Sequence, residues 1–149
     1  MSEHKATLEW KRETDSFAYE SYNRDHVWVF EGGVRVPASA APAYRGNPAN
    51  VNPEEALVAA LSSCHMLTFL AIAAKKQFVI DRYRDNAVGF LEKNTKGKLA
   101  ITRVILRPRV IFGGQNSPTL EQIKSLHERA HSECFIANSV TTEVTVEVE

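Results

Sequence analysis

The sequence predicts an α+β fold. Three observations carry the prediction. Segments of alternating polarity come in neighbouring groups separated by short turn signals. One long apolar stretch with helix-start chemistry interrupts them near residue 53. The chain then closes on the strictly alternating SVTTEVTVEVE. The order is therefore strands, helix, strands, helix, strand, and strands joined by short turns make antiparallel sheets rather than a doubly wound one. A chain of 149 residues suits one domain with its own core, here taken as residues 1–149.

The elements follow in order. ATLEWKRE alternates like a half-buried strand; FAYESYN and DHVWVFEGG read as further strands, Gly32-Gly33 as a turn, and VRVPAS as the next strand. The first forty or so residues thus predict a β-meander. The Pro- and Asn-rich AAPAYRGNPANVNP is loop. Asn52 then caps a long helix, with Pro53 at its first position and Glu55 placed to complete a capping box. That helix is expected to run to about Lys76. FVIDRYRDNAVGFLEKN and LAITRVILRPRVIF read as two long strands joined at TKGK, with Pro108 marking an edge or bulge late in the second. Ser117 and Pro118 are expected to open a second helix, TLEQIKSLHERAHSE, with Leu120, Ile123, Leu126 and Ala130 on its apolar face.

Composition narrows the function classes. Lys plus Arg and Asp plus Glu are equal at 18 each, so no excess of charge draws nucleic acid or an acidic membrane. MSEHKATLEWKRE has no apolar core of the signal-peptide kind, and the expected location is cytoplasmic. Structural disulfides are uncommon there, so two cysteines point to chemistry, a metal or plain packing. Ala56–Ala74 carries no formal charge over 19 residues, near the length of a membrane span. Its Ala and Ser content, its internal Cys64 and His65, and strands that need a helical cover favour a core helix instead. Ala56, Ala59, Ala60 and Ser63 are small residues at helical spacing that would let another helix approach closely. They suggest a dimer; a monomer with the second helix on top is the alternative.

Cys64 alone reads as a small buried hydrophobe. His65 does not form a dyad with it, because adjacent helix positions point about 100° apart; it is expected to make a hydrogen bond in the core or at a subunit contact. Cys134 changes the reading. NPEEALVAALSSC, followed some 70 residues later by AHSECFIANS and a terminal strand, resembles the OsmC/Ohr family of organic hydroperoxide reductases over essentially the whole chain. The resemblance implies an OsmC-like fold, antiparallel sheets around a long central helix, and an intertwined homodimer with active sites at the interface. It implies that Cys64 takes oxygen from an organic hydroperoxide and that Cys134 resolves it as an intrachain disulfide. An external dithiol then serves as reductant, without a cofactor.

The family holds its reactive cysteine beside an arginine that a glutamate positions. Glu54 matches the glutamate, ten residues before Cys64, about 15 Å along one helix. Two helices packed antiparallel across a dimer would bring Glu54 of one chain toward Cys64 of the other. Arg24, in YNRDHVWVF, is the favoured arginine by position; Arg45, in PAYRGNP, and His26 are its rivals. Two positions depart from the family: Phe135 stands where reductases often have proline, and His65 follows the first cysteine. Leu61, Met66, Leu67, Phe69 and Phe135 are candidates to line an alkyl pocket or to be core. Two other readings stand beside this one. His127 and His131, four apart, with Cys134 and Cys64 could chelate a metal, or the fold could bind a hydrophobic ligand or partner with little peroxidase activity.

Overall fold

Alternating residues near the N-terminus pair into a small antiparallel sheet. The structure, a computed structural model, describes residues 1–148, and the chain packs as two compact units, Met1–Ala56 and Leu57–Glu149. In the first unit, β1 (Ala6–Glu9), β2 (His26–Phe30) and β3 (Arg35–Ala38) form a sheet in that order. FAYESYN, expected as a strand, is a turn instead. The Ala18 carbonyl accepts from the amides of Ser21 and Tyr22 at 3.0 and 3.1 Å. The Asn23 side chain ties down Lys11 and Glu13 at 2.9 Å each. Trp10, Phe17 and Tyr22 pack on one another, with ring centroids 4.9 to 6.4 Å apart. The aromatic residues that made the segment look strand-like thus serve a local cluster, not a sheet face.

α1 (Pro53–Lys75) begins as its sequence predicts. The Glu55 amide donates to Asn52 Oδ1 at 2.9 Å and the Asn52 side-chain amide donates to Glu55 Oε1 at 2.8 Å. It ends in a left-handed turn at Gln77 (φ 63°), with the Phe78 amide on Ala73 O and the Gln77 amide on Ala74 O. Glycine usually takes that position. By length and apolarity α1 could cross a membrane, but it is built into this fold. Leu61, His65, Phe69 and Ala73, four apart, are buried, whereas Ala59, Ser63, Leu67 and Ala71 are exposed.

The two long strands expected after α1 are four. β4 (Val79–Asp85) pairs with β7 (Pro108–Gly113), and β5 (Val88–Lys93) pairs with β6 (Leu99–Leu106), both antiparallel. The long hairpin is broken at one level on both sides, at Asn86-Ala87 and at Arg107 before Pro108. Pro108 has no amide to donate, and the Arg107 amide leaves the ladder to donate to Asp85 Oδ1 at 2.6 Å. Each half of the hairpin is therefore a sheet of its own. β8 (Glu143–Val146) adds to β6 in parallel, giving the order β5-β6-β8 within an otherwise antiparallel arrangement. A returning helix makes this parallel pairing possible, since the strand comes back from the far side of the sheet. α2 (Leu120–Glu133) starts two residues later than expected. Its cap is Thr119, in a reciprocal capping box with Gln122, and Pro118 stands before the cap.

The break divides the core. Phe69 and Ala73, from the second half of α1, pack with Leu126 and Ala130 of α2 and with residues of the β4-β7 sheet. Leu61, one turn before Cys64, packs with Val104 and Leu106 and with β8. Gly89 lets the helix come this close, since a Cβ there would lie 2.5 Å from Val58 Cγ2. Cys64 and His65 fall at the seam between the two clusters.

Candidate active site

Polar and sulfur groups gather along that seam. Ser62 donates from Oγ to Asp85 Oδ2 at 2.5 Å, so the carboxylate that receives the Arg107 amide also fixes α1 to the end of β4. One turn of α1 thus carries, in sequence, a serine bound to β4, a cysteine and a histidine.

Cys64 is half-buried and Cys134, at the C-terminal cap of α2, is 1% exposed; both are free thiols. The two side chains are within hydrogen-bonding reach of each other. Burial pushes the Cys134 thiol above its ordinary pKa, and the neighbouring Cys64 pushes it the same way. The backbone amides of Ala137, 3.4 Å from the sulfur, and of Ile136 pull against this. Cys134 is thus the more deeply buried cysteine and a thiol that holds its proton more firmly than a free one, and Cys64 is the less buried of the two. Cys64, read from the sequence as a small buried hydrophobe, is half-buried in the single chain.

His65 turns the other way. Its Nε2 lies 3.0 Å from His127 Nδ1, the two rings stack nearly parallel (5° apart, centroids 5.3 Å), and Phe69 stacks on His127 at 4.3 Å. Burial, chiefly, brings each imidazole down to about 4, helped by His131 at His65 and by His65 at His127; Asp85 acts against this at His65. His65 therefore makes a core hydrogen bond, one of the two roles its position allowed. His127 was missed as a core residue. The signal was present: it lies four residues after Ile123 and three before Ala130, on the apolar face of α2.

Among the described residues no three His, Cys, Asp or Glu side chains come together to hold a metal ion. His127, expected as a possible ligand beside His131, spends its Nδ1 on His65. Of the candidate alkyl-pocket residues, Leu61 and Phe69 are core, whereas Leu67 and Phe135 are 59% and 81% exposed.

The remaining site candidates lie in the first unit. Arg24 donates to the carbonyls of Tyr22 and Tyr19 and lies 3.6 Å from the Tyr22 ring centroid. Arg24 and Arg45 both approach the Tyr19 ring, at 5.1 and 5.6 Å, so the two rival arginines share one aromatic neighbour. His26 has both ring nitrogens in contacts within the first unit. Trp28 donates its indole N–H to His26 Nε2 at 3.0 Å, which leaves Nδ1 to donate to the Arg24 carbonyl at 2.8 Å. Glu54, in the first turn of α1, keeps Oε2 buried and without a hydrogen-bond partner among the described residues.

A long capped helix with a half-buried cysteine, a second helix that ends on a buried one near it, and antiparallel sheets packed on both define a two-cysteine α+β protein. The chain belongs to the OsmC-like protein family, whose match covers residues 46–149. It is 54% identical, over the full length of both chains and with a TM-score of 0.95, to an OsmC-like protein of unknown function from Vibrio cholerae. An organic hydroperoxide resistance protein OsmC from Legionella pneumophila shares the fold at 14% identity, with a TM-score of 0.74 over 100% of this chain and 98% of that one. An uncharacterized Bacillus subtilis protein, YmaD, is 23% identical over 131 residues, 85% of each chain.

Proposed function

We propose that the protein reduces organic hydroperoxides at Cys64, with Cys134 as the resolving thiol. The observation that carries this reading is the Cys64–Cys134 contact, in a chain with no other cysteine. The Cys64 thiolate attacks the peroxide's terminal oxygen, and the O–O bond breaks. The alkoxide leaves as alcohol after taking a proton, and Cys64 becomes a sulfenic acid. The Cys134 sulfur then attacks the Cys64 sulfur, its proton leaves with the hydroxide as water, and a disulfide forms. An external dithiol reduces that bond by exchange and is itself oxidised to a disulfide.

Cys134 starts protonated, which suits a thiol that waits while Cys64 reacts. The cation near Cys64 is Arg24, held by Glu54, at a site shared between two chains of a cytoplasmic homodimer. Two features support this assignment. A carboxylate oxygen withdrawn from water without a partner needs a cation, and Glu54 Oε2 is in that condition. The exposed stripe Ala59, Ser63, Leu67 and Ala71 on α1 is a surface that a second small-residue helix face fits.

The test is intact mass after one equivalent of cumene hydroperoxide. Loss of two hydrogens on a band that runs as monomer in non-reducing denaturing gels is expected. Unmodified thiols after excess peroxide would remove the enzymatic reading, and a covalent dimer would move the bridge between chains. Arg24→Ala is expected to slow turnover about tenfold or more, with little loss of stability. If Arg45→Ala does so instead, the cation is reassigned. Sedimentation equilibrium showing a stable monomer would refute the shared site.

A further inference from the structure

The histidine pair does not end at the core. His127 and His131 also line a cavity of about 360 Å³ whose other residues include Lys124 and Glu128 of α2, Val144 and Val146 of β8, and Val148 just beyond it. That volume is at the small end of ligand pockets. One wall is a row of alternate valines and the other a helix edge with polar ends.

The tautomer of the buried pair decides what the cavity is offered. Both rings are neutral at ordinary pH, so one hydrogen lies between His65 Nε2 and His127 Nδ1. His65 Nδ1 is buried with no partner among the described residues. If His127 Nδ1–H were the donor, the hydrogen of His65 would sit on Nδ1 as a buried, unsatisfied N–H. If His65 Nε2–H is the donor, Nδ1 is a bare nitrogen, the cheaper group to leave unpaired. The second arrangement puts the remaining hydrogen of His127 on Nε2, the nitrogen left for the cavity it lines. His127 is 2% exposed, so this donor is set in the wall rather than on the surface. A cavity with a fixed N–H donor, a lysine one turn earlier on the same helix edge and an aliphatic floor fits one chemistry. Its ligand has an anionic acceptor at one end and a short branched chain at the other. Glu128, four residues after Lys124 on α2, lies on the same helix edge as the lysine, so a bound carboxylate competes with it for the ammonium group.

We propose that the cavity between α2 and β8 binds a small aliphatic carboxylate, which accepts from His127 Nε2–H and Lys124 and lays its alkyl chain on Val144, Val146 and Val148. The site needs no peroxide and no reaction at the cysteines, so it stands or falls apart from the proposed enzymatic function.

Isovalerate is the probe, titrated into the full chain with methyl-labelled valines, and isovaleramide is its uncharged control. Saturable shifts at the Val144, Val146 and Val148 methyls are expected. Binding should weaken roughly tenfold or more with the amide and in Lys124→Met, the worth of one charge-assisted hydrogen bond. His127→Phe should abolish binding; because it also unpairs His65, Lys124→Met is the decisive variant if His127→Phe does not fold. Shifts that stay linear with concentration, equal binding of acid and amide, or an unchanged affinity in Lys124→Met would overturn the proposal. So would valine methyls shielded from a soluble paramagnetic probe before any ligand is added, which would mean that another copy of the chain fills the cavity.

Discussion

Cys64 and His65 are neighbours on α1, and their side chains leave the helix about 100° apart. Each meets a partner carried by α2: Cys64 reaches Cys134 at the helix cap, and His65 reaches His127 two turns earlier. The thiol pair is less closed, with one half-buried cysteine and one buried one. The histidine pair is closed, stacked and hydrogen-bonded, with an aromatic ring against it. One register between the two helices serves both pairs. The closed pair fixes it, and the thiol pair has the chemistry that needs it. A sulfur–sulfur bond requires Cα atoms within about 7 Å, and a stacked, hydrogen-bonded contact one residue away holds that spacing before any bond forms.

The largest effect should separate the pairs by chemistry. Cys64→Ser is expected to remove peroxide consumption altogether, while its urea midpoint stays close to the parent's, since the side chain is only half-buried. Cys134→Ser should keep a first turnover and then lose activity as Cys64 gains further oxygen, seen as added oxygen mass. If Cys64→Ser still consumes cumene hydroperoxide at the parental rate, the chemistry lies elsewhere.

Next in size is a loss of stability. His65→Ala removes one partner of a buried hydrogen bond and opens a cavity beside Phe69, at a cost of about 3 kcal/mol. Urea unfolding checks this. The folded fraction should still react at Cys64, because His65 touches no reacting atom. A variant that is fully stable but inactive would make His65 part of the chemistry and erase the contrast between the pairs.

The two pairs also differ in how legible they were. The thiol pair could be read from the sequence because cysteines are few and their setting, NPEE ahead of one and a helix end ahead of the other, is distinctive. The histidine pair could not. His65 left two roles open, and His127 looked like half of a chelating i, i+4 pair with His131. Only the tertiary approach of α1 to α2 chooses between these. The helix caps at Asn52 and Glu55 were legible because capping is local. The split of the long hairpin was not: Pro108 signalled an irregularity, but the matching break at Asn86-Ala87 depends on Asp85 accepting across the gap. The parallel pairing of β8 with β6 likewise has no local signature, since alternation says which face is buried and not which way the neighbour runs.

Acid probes the closed pair alone. Both imidazoles are held near 4 in the folded chain, against about 6.5 in an unfolded one. The unfolded state therefore binds more protons between those values, and the pair's contribution to stability falls as pH drops from about 6.5 toward 4, then levels. The groups facing the pair are His131 on α2, which works against protonation of His65, and Asp85 on β4, which favours it. Urea midpoints measured from pH 7 to 5.5 should decline by less than the His65→Ala loss. The decline should shrink in a His65→Phe, His127→Phe double variant. A parent protein whose midpoint is flat across that range would mean that the pair is not held neutral by burial.

The smallest effect tests the residue between the pairs. Asp85 accepts from Ser62 Oγ at 2.5 Å and from the Arg107 amide at 2.6 Å, and so joins the seam of α1 to the broken hairpin. Asp85→Asn keeps a carbonyl oxygen for the Arg107 amide. It also places an amide group beside Ser62 Oγ, which can turn its hydroxyl and accept instead. Both hydrogen bonds survive in altered form, and only their charge assistance goes, at a cost of about 1 kcal/mol. The same change removes the one facing group that favours protonated His65, so the acid-dependent decline should remain at least as steep as in the parent. Acid sensitivity that disappears in Asp85→Asn would place its origin in the carboxylate that bridges α1 and β4 and not in the imidazoles. Peroxide turnover in Asp85→Asn should stay within a few-fold of the parent's, because the thiols keep their own contact; a collapse of turnover would show that the register between them depends on the Ser62–Asp85 bond more than on the stacked rings.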